Sequence, residues 1–244
     1  WCIRILPGQR GSVKYNIPAE TTANERFKRV RSFWNWAART RAVDKFPTCR
    51  CVPVPEKIPR AWREDELVKL FNACRRQRGE ICGIEAFRWW LTIHGFWWAT
   101  SERIGATMAL RLVDLRLDER LAVVPARIRK GKRQAMVYSL WPDLVEMLRA
   151  IMPPAGPPRD LVWPWPTHRT TFYHHYGKLL LMAGLPNDRA AKPHAMRVSH
   201  ASWRQVIGED ATRALGHSDP AVTRRHYIDP TLAKQDESKL FRPW

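Results

Sequence analysis

The sequence predicts a mainly helical fold with a small antiparallel β-sheet (α+β). Three observations carry this: apolar residues recur at helical spacing through most of the chain, one pair of short β-like runs flanks a cationic turn, and a proline-rich stretch separates a short basic N-terminal segment from the rest. The 244 residues suffice for one full domain plus a smaller piece, with no need of a disulfide or metal staple.

Over residues 21–43, Phe27, Val30, Trp34, Ala37 and Ala38 form a helical stripe with arginines opposite, and Thr21 or Thr22 caps its start. This reads as the end of a small basic helical domain whose beginning is missing from a sequence that opens on Trp1. Pro47, Pro53, Pro55 and Pro59 then favour an extended linker. The resulting division is 1–55, helical remnant plus linker, and 56–244, the main domain.

In the main domain Leu67, Leu70, Phe71 and Cys74 mark a helix, and the Trp-rich stretch 85–100 a more fully buried one. The segment 100–115, apolar at Met108, Leu110, Leu112 and Leu115, reads as a further buried helix and its exit. LAVVPARI (121–128) and QAMVYSL (134–140) predict a β-hairpin whose tip is Arg129-Lys130-Gly131-Lys132-Arg133. A helix over 143–151 runs into the loop PPAGPP (153–158), and helices follow over 168–184, 194–207 and 209–216. There is no internal repeat, and the 13 tryptophans require a core to hold them.

Lysine and arginine number 42 against 23 acids, a formal charge of +19, which points to a polyanionic partner. The longest apolar run, 88–100, is interrupted by His94 and Gly95 and falls short of the roughly 20 residues of a membrane span, so no membrane is expected. Five cysteines, an odd number without a secretory signal, predict reduced thiols and a cytoplasmic protein. Cys49-Arg50-Cys51 lacks a second Cys/His pair, and no metal site is expected.

Chemistry concentrates in three places. Arg103 sits near the start of an otherwise apolar segment, where an arginine needs an anion. His194 and Arg197, three apart in PHAMRVSHAS, project from one face of a helix. His217 and Tyr227 lie in LGHSDPAVTRRHY (215–227).

Together these segments resemble the catalytic domain of the tyrosine recombinases, the phage integrase family. The first box of that family, G-x-R-x-x-E-x-x-x-L-x-x-x-D, is matched in register by Arg103, Leu110 and Asp114. Ser101 stands in its glycine position and Ala106 in its acid position, and Glu102 does not replace that acid in register. Lys130 stands seven residues before Val137, as the hairpin lysine does, with Lys132 the nearby alternative. His194 and Arg197 match H-x-x-R, followed by Ser199, Ala201 and Ser202. Leu215-Gly216-His217 matches L-G-H, and Tyr227 follows ten residues later. The resemblance covers roughly 60–230.

It implies the tyrosine recombinase catalytic-domain fold and a DNA strand transferase that cuts through a 3′-phosphotyrosyl link, with no cofactor and no metal. Arg103 and Arg197 would clamp the phosphate oxygens bidentately. A tyrosine of pKa about 10 needs a proton acceptor, and in the family the second-box histidine, here His194, helps in that, while the third-box histidine, His217, contacts the phosphate. Lys130 would be the general acid, and Arg129, Lys132, Arg133 and Arg224 would lie on the DNA backbone. The partners implied are double-stranded DNA and further copies of the chain, a tetramer on DNA joined by the tail after Tyr227. Ala106 and the missing N-terminus keep open a DNA-binding remnant that no longer cuts. A type IB topoisomerase is a further alternative, against which stand the LGH-to-tyrosine spacing and the size. His174 and His175 are assigned no chemistry.

Overall fold

The computed structural model describes residues 20–44, 50–131, 134–153, 160–188 and 190–232. The chain divides into two units, one ending at Lys57 and one beginning at Ile58.

In the first unit α1 (Glu20–Arg39) carries Glu20 in its first turn and Arg39 in its last, both signs suited to the helix dipole. Thr21 and Thr22 lie inside this helix and do not cap it. Of the apolar stripe, Ala37 is buried and Phe27, Trp34 and Ala38 half-buried, whereas Val30 is exposed together with Phe33 and Trp36. The Asn24 amide clips the extended segment back onto the helix, donating to Val52 O (2.8 Å) and accepting from Val52 N (2.9 Å).

The second unit runs α2 (Glu64–Arg75), β1 (Glu80–Ile81), β2 (Ile84–Glu85), α3 (Ala86–Thr100), α4 (Ile104–Thr107), β3 (Leu115–Arg116), β4 (Leu121–Val124), β5 (Met136–Ser139), α5 (Pro142–Arg149), α6 (Arg169–Met182), α7 (His194–Val206), α8 (Ala211–Leu215) and α9 (Pro220–Tyr227). Strands β1 and β2 form a two-stranded hairpin; β3, β4 and β5 form an antiparallel sheet in that order, with Leu121 opposite Ser139 and Val124 opposite Met136.

Helix α3 is the axis of this unit. It is buried on nearly every side, against α2, α5 and α7, which is why its sequence is apolar without a one-sided stripe. Trp89 and Trp97 are buried on it, and each indole N–H finds an acceptor: Pro164 O for Trp89 and Thr107 Oγ1 for Trp97, both at 3.0 Å. Burying about 200 Å² per ring contributes roughly 5 kcal/mol before entropy is subtracted. Gly95 admits the neighbouring helix: a Cβ there would stand 3.0 Å from Leu144 Cδ1 of α5.

Three segments depart from the sequence expectation. The predicted helix over 100–115 is broken into α4 and a 3₁₀ turn at Leu112–Asp114, because Ser101 turns left-handed (φ 55°) and Arg103 is extended. Leu110 still fills the core, while its carbonyl and the Leu112 amide bond across to Val162 and Asp160. Strand β4 stops at Val124 because Pro125 has no N–H for the ladder, and residues 126–128 form a 3₁₀ turn. Helix α9 stands where the sequence pattern predicts no element; Asp219 caps it (Oδ1 accepts from Ala221 N, 2.8 Å) and Pro220 occupies its first turn. Lys132, Arg133, the prolines of 154–158 and the tail from 233 onward lie outside the described residues. No helix among the described residues is long and apolar enough to cross a membrane.

A second, smaller cluster of Ala61, Val198, Ala201, Ala211, Leu215 and Tyr227 packs α7, α8 and α9 together. This cluster positions the site.

Candidate active site

Arg197 lies at its centre, 2% exposed on α7. Its Nη1 donates to Ser101 O (2.6 Å), and its Nη2 to Leu215 O (2.9 Å) and to His217 Nε2 (3.1 Å). One guanidinium therefore ties together the segments of all three boxes. Its carbon stands 5.3 Å from the centroid of the Tyr227 ring. Burial and the nearby Arg103 charge pull the Arg197 pKa down, while Tyr227 and Glu102 oppose the shift.

Arg103 precedes α4 and is half-buried, its Nη2 3.5 Å from the same His217 Nε2. His217 follows Gly216, whose left-handed conformation (φ 63°) closes α8 and turns the next side chain into the site. Because Nε2 faces guanidinium donors, it accepts, and Nδ1 carries the proton toward Thr223 Oγ1 at 2.9 Å. Burial, then the charges of Arg197, Arg103 and Arg129, lower the His217 pKa to about 4. His194 opens α7 with one edge toward solvent. Burial of its inner side, then Arg197 and Arg103, lower its pKa to about 4 as well. Both rings are thus uncharged at neutral pH and able to accept a proton.

Tyr227 ends α9 at 8% exposure, with its ring centroid 5.2 Å from that of His194 and 4.8 Å from that of His217. Its backbone is pinned. Ser202 Oγ donates to Tyr227 O (3.0 Å) and accepts from Asp229 N (2.8 Å), and the Asp229 carboxylate accepts from Ala61 N (2.8 Å).

A cleft of about 530 Å³ opens beside these groups, lined by Arg103, His194 and Arg197 together with Lys130, Arg169 and Lys192; among the described residues Glu102 is its one acid. Lys130 is exposed on the hairpin side and lines the same cleft as the arginine pair. The six chemical positions of the sequence reading therefore converge. Arg224 is exposed on α9 and does not line the cleft. Arg129, expected to face outward with the other tip cations, is buried and engaged internally with Glu102. Arg127, Arg169, Tyr173 and Lys192 of the lining carried no motif, and only their charge or aromaticity marked them. Among the described residues no group of His, Cys, Asp and Glu is arranged to hold a metal ion.

The helices packed around α3 and the three-stranded antiparallel sheet make the tyrosine recombinase catalytic-domain fold. No family model and no curated protein sequence matches the chain. Solved structures do. The Tn1549 transposon integrase in complex with transposon right end DNA has a TM-score of 0.67 at 12% identity, over 91% of this chain and 80% of that one. A lambda integrase dimer bound to a COC′ core site has a TM-score of 0.62 at 12% identity, over 91% and 76%. XerA recombinase is similar at 19% identity with a TM-score of 0.53, over 91% and 73%.

Proposed function

We propose that the chain is a site-specific DNA recombinase or integrase that breaks and rejoins strands through a 3′-phosphotyrosyl intermediate. The observation that carries this reading is the seating of Tyr227 between two uncharged imidazoles and against Arg197, with His194 and Arg197 in turn lining a cationic cleft. The charge of +19 and the DNA complexes among the similar structures support double-stranded DNA as the partner.

In the proposed reaction Arg103 and Arg197 hold the non-bridging oxygens of the scissile phosphate and stabilise the charge that builds there. Tyr227 Oη attacks phosphorus and gives its proton to His194. The P–O5′ bond breaks and the 5′ oxygen takes a proton from Lys130 Nζ, leaving a phosphotyrosyl ester and a free 5′ hydroxyl. Attack by another 5′ hydroxyl reverses the steps, so bond energy is conserved and no nucleotide is consumed. His217 accepts from Arg197 in its present tautomer; a phosphate in the cleft favours the proton on Nε2, from which it would donate to a phosphate oxygen. Assembly of copies on DNA, a tetramer in the full reaction, in the cytoplasm completes the proposal, as does contact of Lys132, Arg133 and Arg224 with the DNA backbone.

The test uses duplexes selected from a randomised pool by retention on the protein, resynthesised with a nick beside the scissile phosphate to trap the cut state. Wild type is expected to form a DNA–protein adduct on a denaturing gel, and Tyr227→Phe none. Retardation of DNA without any adduct would favour the non-cutting remnant, for which Ala106 in the acid position is the motivating feature.

A further inference from the structure

Ala106 leaves the first box without its acid, and its side chain is buried at 2% exposure. The fold places a carboxylate beside Arg103 by another route. Glu102 follows the left-handed turn at Ser101 and is 4% exposed. Its Oε1 accepts from Arg129 Nε (2.7 Å) and from the Tyr138 hydroxyl (2.7 Å), and its Oε2 accepts from Arg103 N (3.2 Å). Burial and the Glu102 charge push the Tyr138 pKa up, so the phenol remains the donor.

Arg129 extends this contact in two directions. Its Nη1 donates to Gln134 O (3.1 Å), across the base of the hairpin tip, and its Nη2 packs against Gly216, where an added Cβ would stand 3.1 Å away. One buried guanidinium therefore bolts both arms of the hairpin to the corner that carries Arg103 and to the turn that presents His217. Lys130 is the next residue. Its side chain is long and exposed, so where its ammonium can reach depends on where its backbone is rooted.

We propose that Glu102 is a positioning residue for the leaving-group proton: by holding Arg129 it fixes the root of Lys130 at the cleft wall, and it supplies the carboxylate that the box lacks at Ala106. This rests on the proposed function and on Lys130 as the acid. It also assigns Arg129 a role distinct from the DNA backbone contact expected of a tip cation.

The experiment compares two nicked duplexes of the selected sequence, one with the ordinary 5′ oxygen and one with a bridging 5′ sulfur at the scissile phosphate. A thiol has a pKa of about 8.5 and leaves without being handed a proton. Lys130→Ala, Glu102→Gln and Arg129→Gln are each expected to form adduct at least about tenfold more slowly on the oxygen duplex. On the sulfur duplex each is expected to return to within about threefold of wild type, since the proton is no longer needed. The double variant Glu102→Gln/Arg129→Gln removes both charges of the buried pair together and carries the test if a single variant fails to fold. If sulfur rescues Lys130→Ala but none of the Glu102 and Arg129 variants, the pair serves folding or the phosphate clamp, and the inference is overturned while the proposed function stands. If Lys130→Ala is not rescued, or wild type cuts neither duplex, the reading beneath the inference fails and the inference with it.

Discussion

Ser101 occupies a position that strains it. Its φ of 55° is costly for any residue with a Cβ, its hydroxyl is buried and, among the described residues, unpartnered, yet its carbonyl is the acceptor for Arg197 Nη1. The family pattern has glycine here, and the left-handed turn supplies the reason. Ser101→Gly is expected to stabilise the protein by about 1 kcal/mol, read by chemical denaturation, with adduct formation retained because the carbonyl stays. At this scale the site was legible wherever its residues are close in sequence: His194 with Arg197, and Leu215-Gly216-His217 with Tyr227. What stayed hidden was pairing at a distance. Glu102 and Arg129 are 27 residues apart, and nothing in either segment announces that an arginine from a cationic tip turns inward to meet a buried carboxylate.

Among elements, the sharpest junction is the left-handed end of α8. Gly216 needs its φ of 63°, and a side chain there meets Arg129. Gly216→Ala is expected to cost about 1–2 kcal/mol of stability from the backbone alone. It should also slow adduct formation by displacing both Arg129 and His217, as measured by thermal unfolding and by the nicked-duplex assay. Helix α3 was legible as a buried helix because its tryptophans recur without a polar face. The segment after it was not, since Met108, Leu112 and Leu115 keep helical spacing in the sequence while a single left-handed residue and two backbone bonds, to Asp160 and Val162, decide the path. Likewise Pro125 shortened β4, a stop signal present in the sequence but outweighed in the reading by the apolar run around it.

For the molecule as a whole, four histidines have pKa values lowered from 6.5 to about 4: His94 and His200 within the fold, and His194 and His217 at the site, burial being the leading cause in each. Above pH 6.5 both folded and unfolded chains leave these rings neutral, and nothing is lost. As pH falls from 6.5 toward 4 the unfolded chain takes up protons that the folded chain refuses, so stability declines through that window and the loss levels off below it. His94 and His200 alone account for roughly 3 kcal/mol each by pH 4. The thermal midpoint of the DNA-free protein is therefore expected to fall steeply between pH 6.5 and 4, and replacing His94 by an apolar residue of similar size should flatten the decline. One further consequence follows from the tether that joins Tyr227 through Ser202 and Asp229 to Ala61. It fastens the backbone just past the nucleophile to the same chain that supplies the arginines, so on the proposed function each copy arrives armed: it needs no tyrosine lent by a neighbour, and assembly would govern when strands are exchanged rather than whether a single copy can cut.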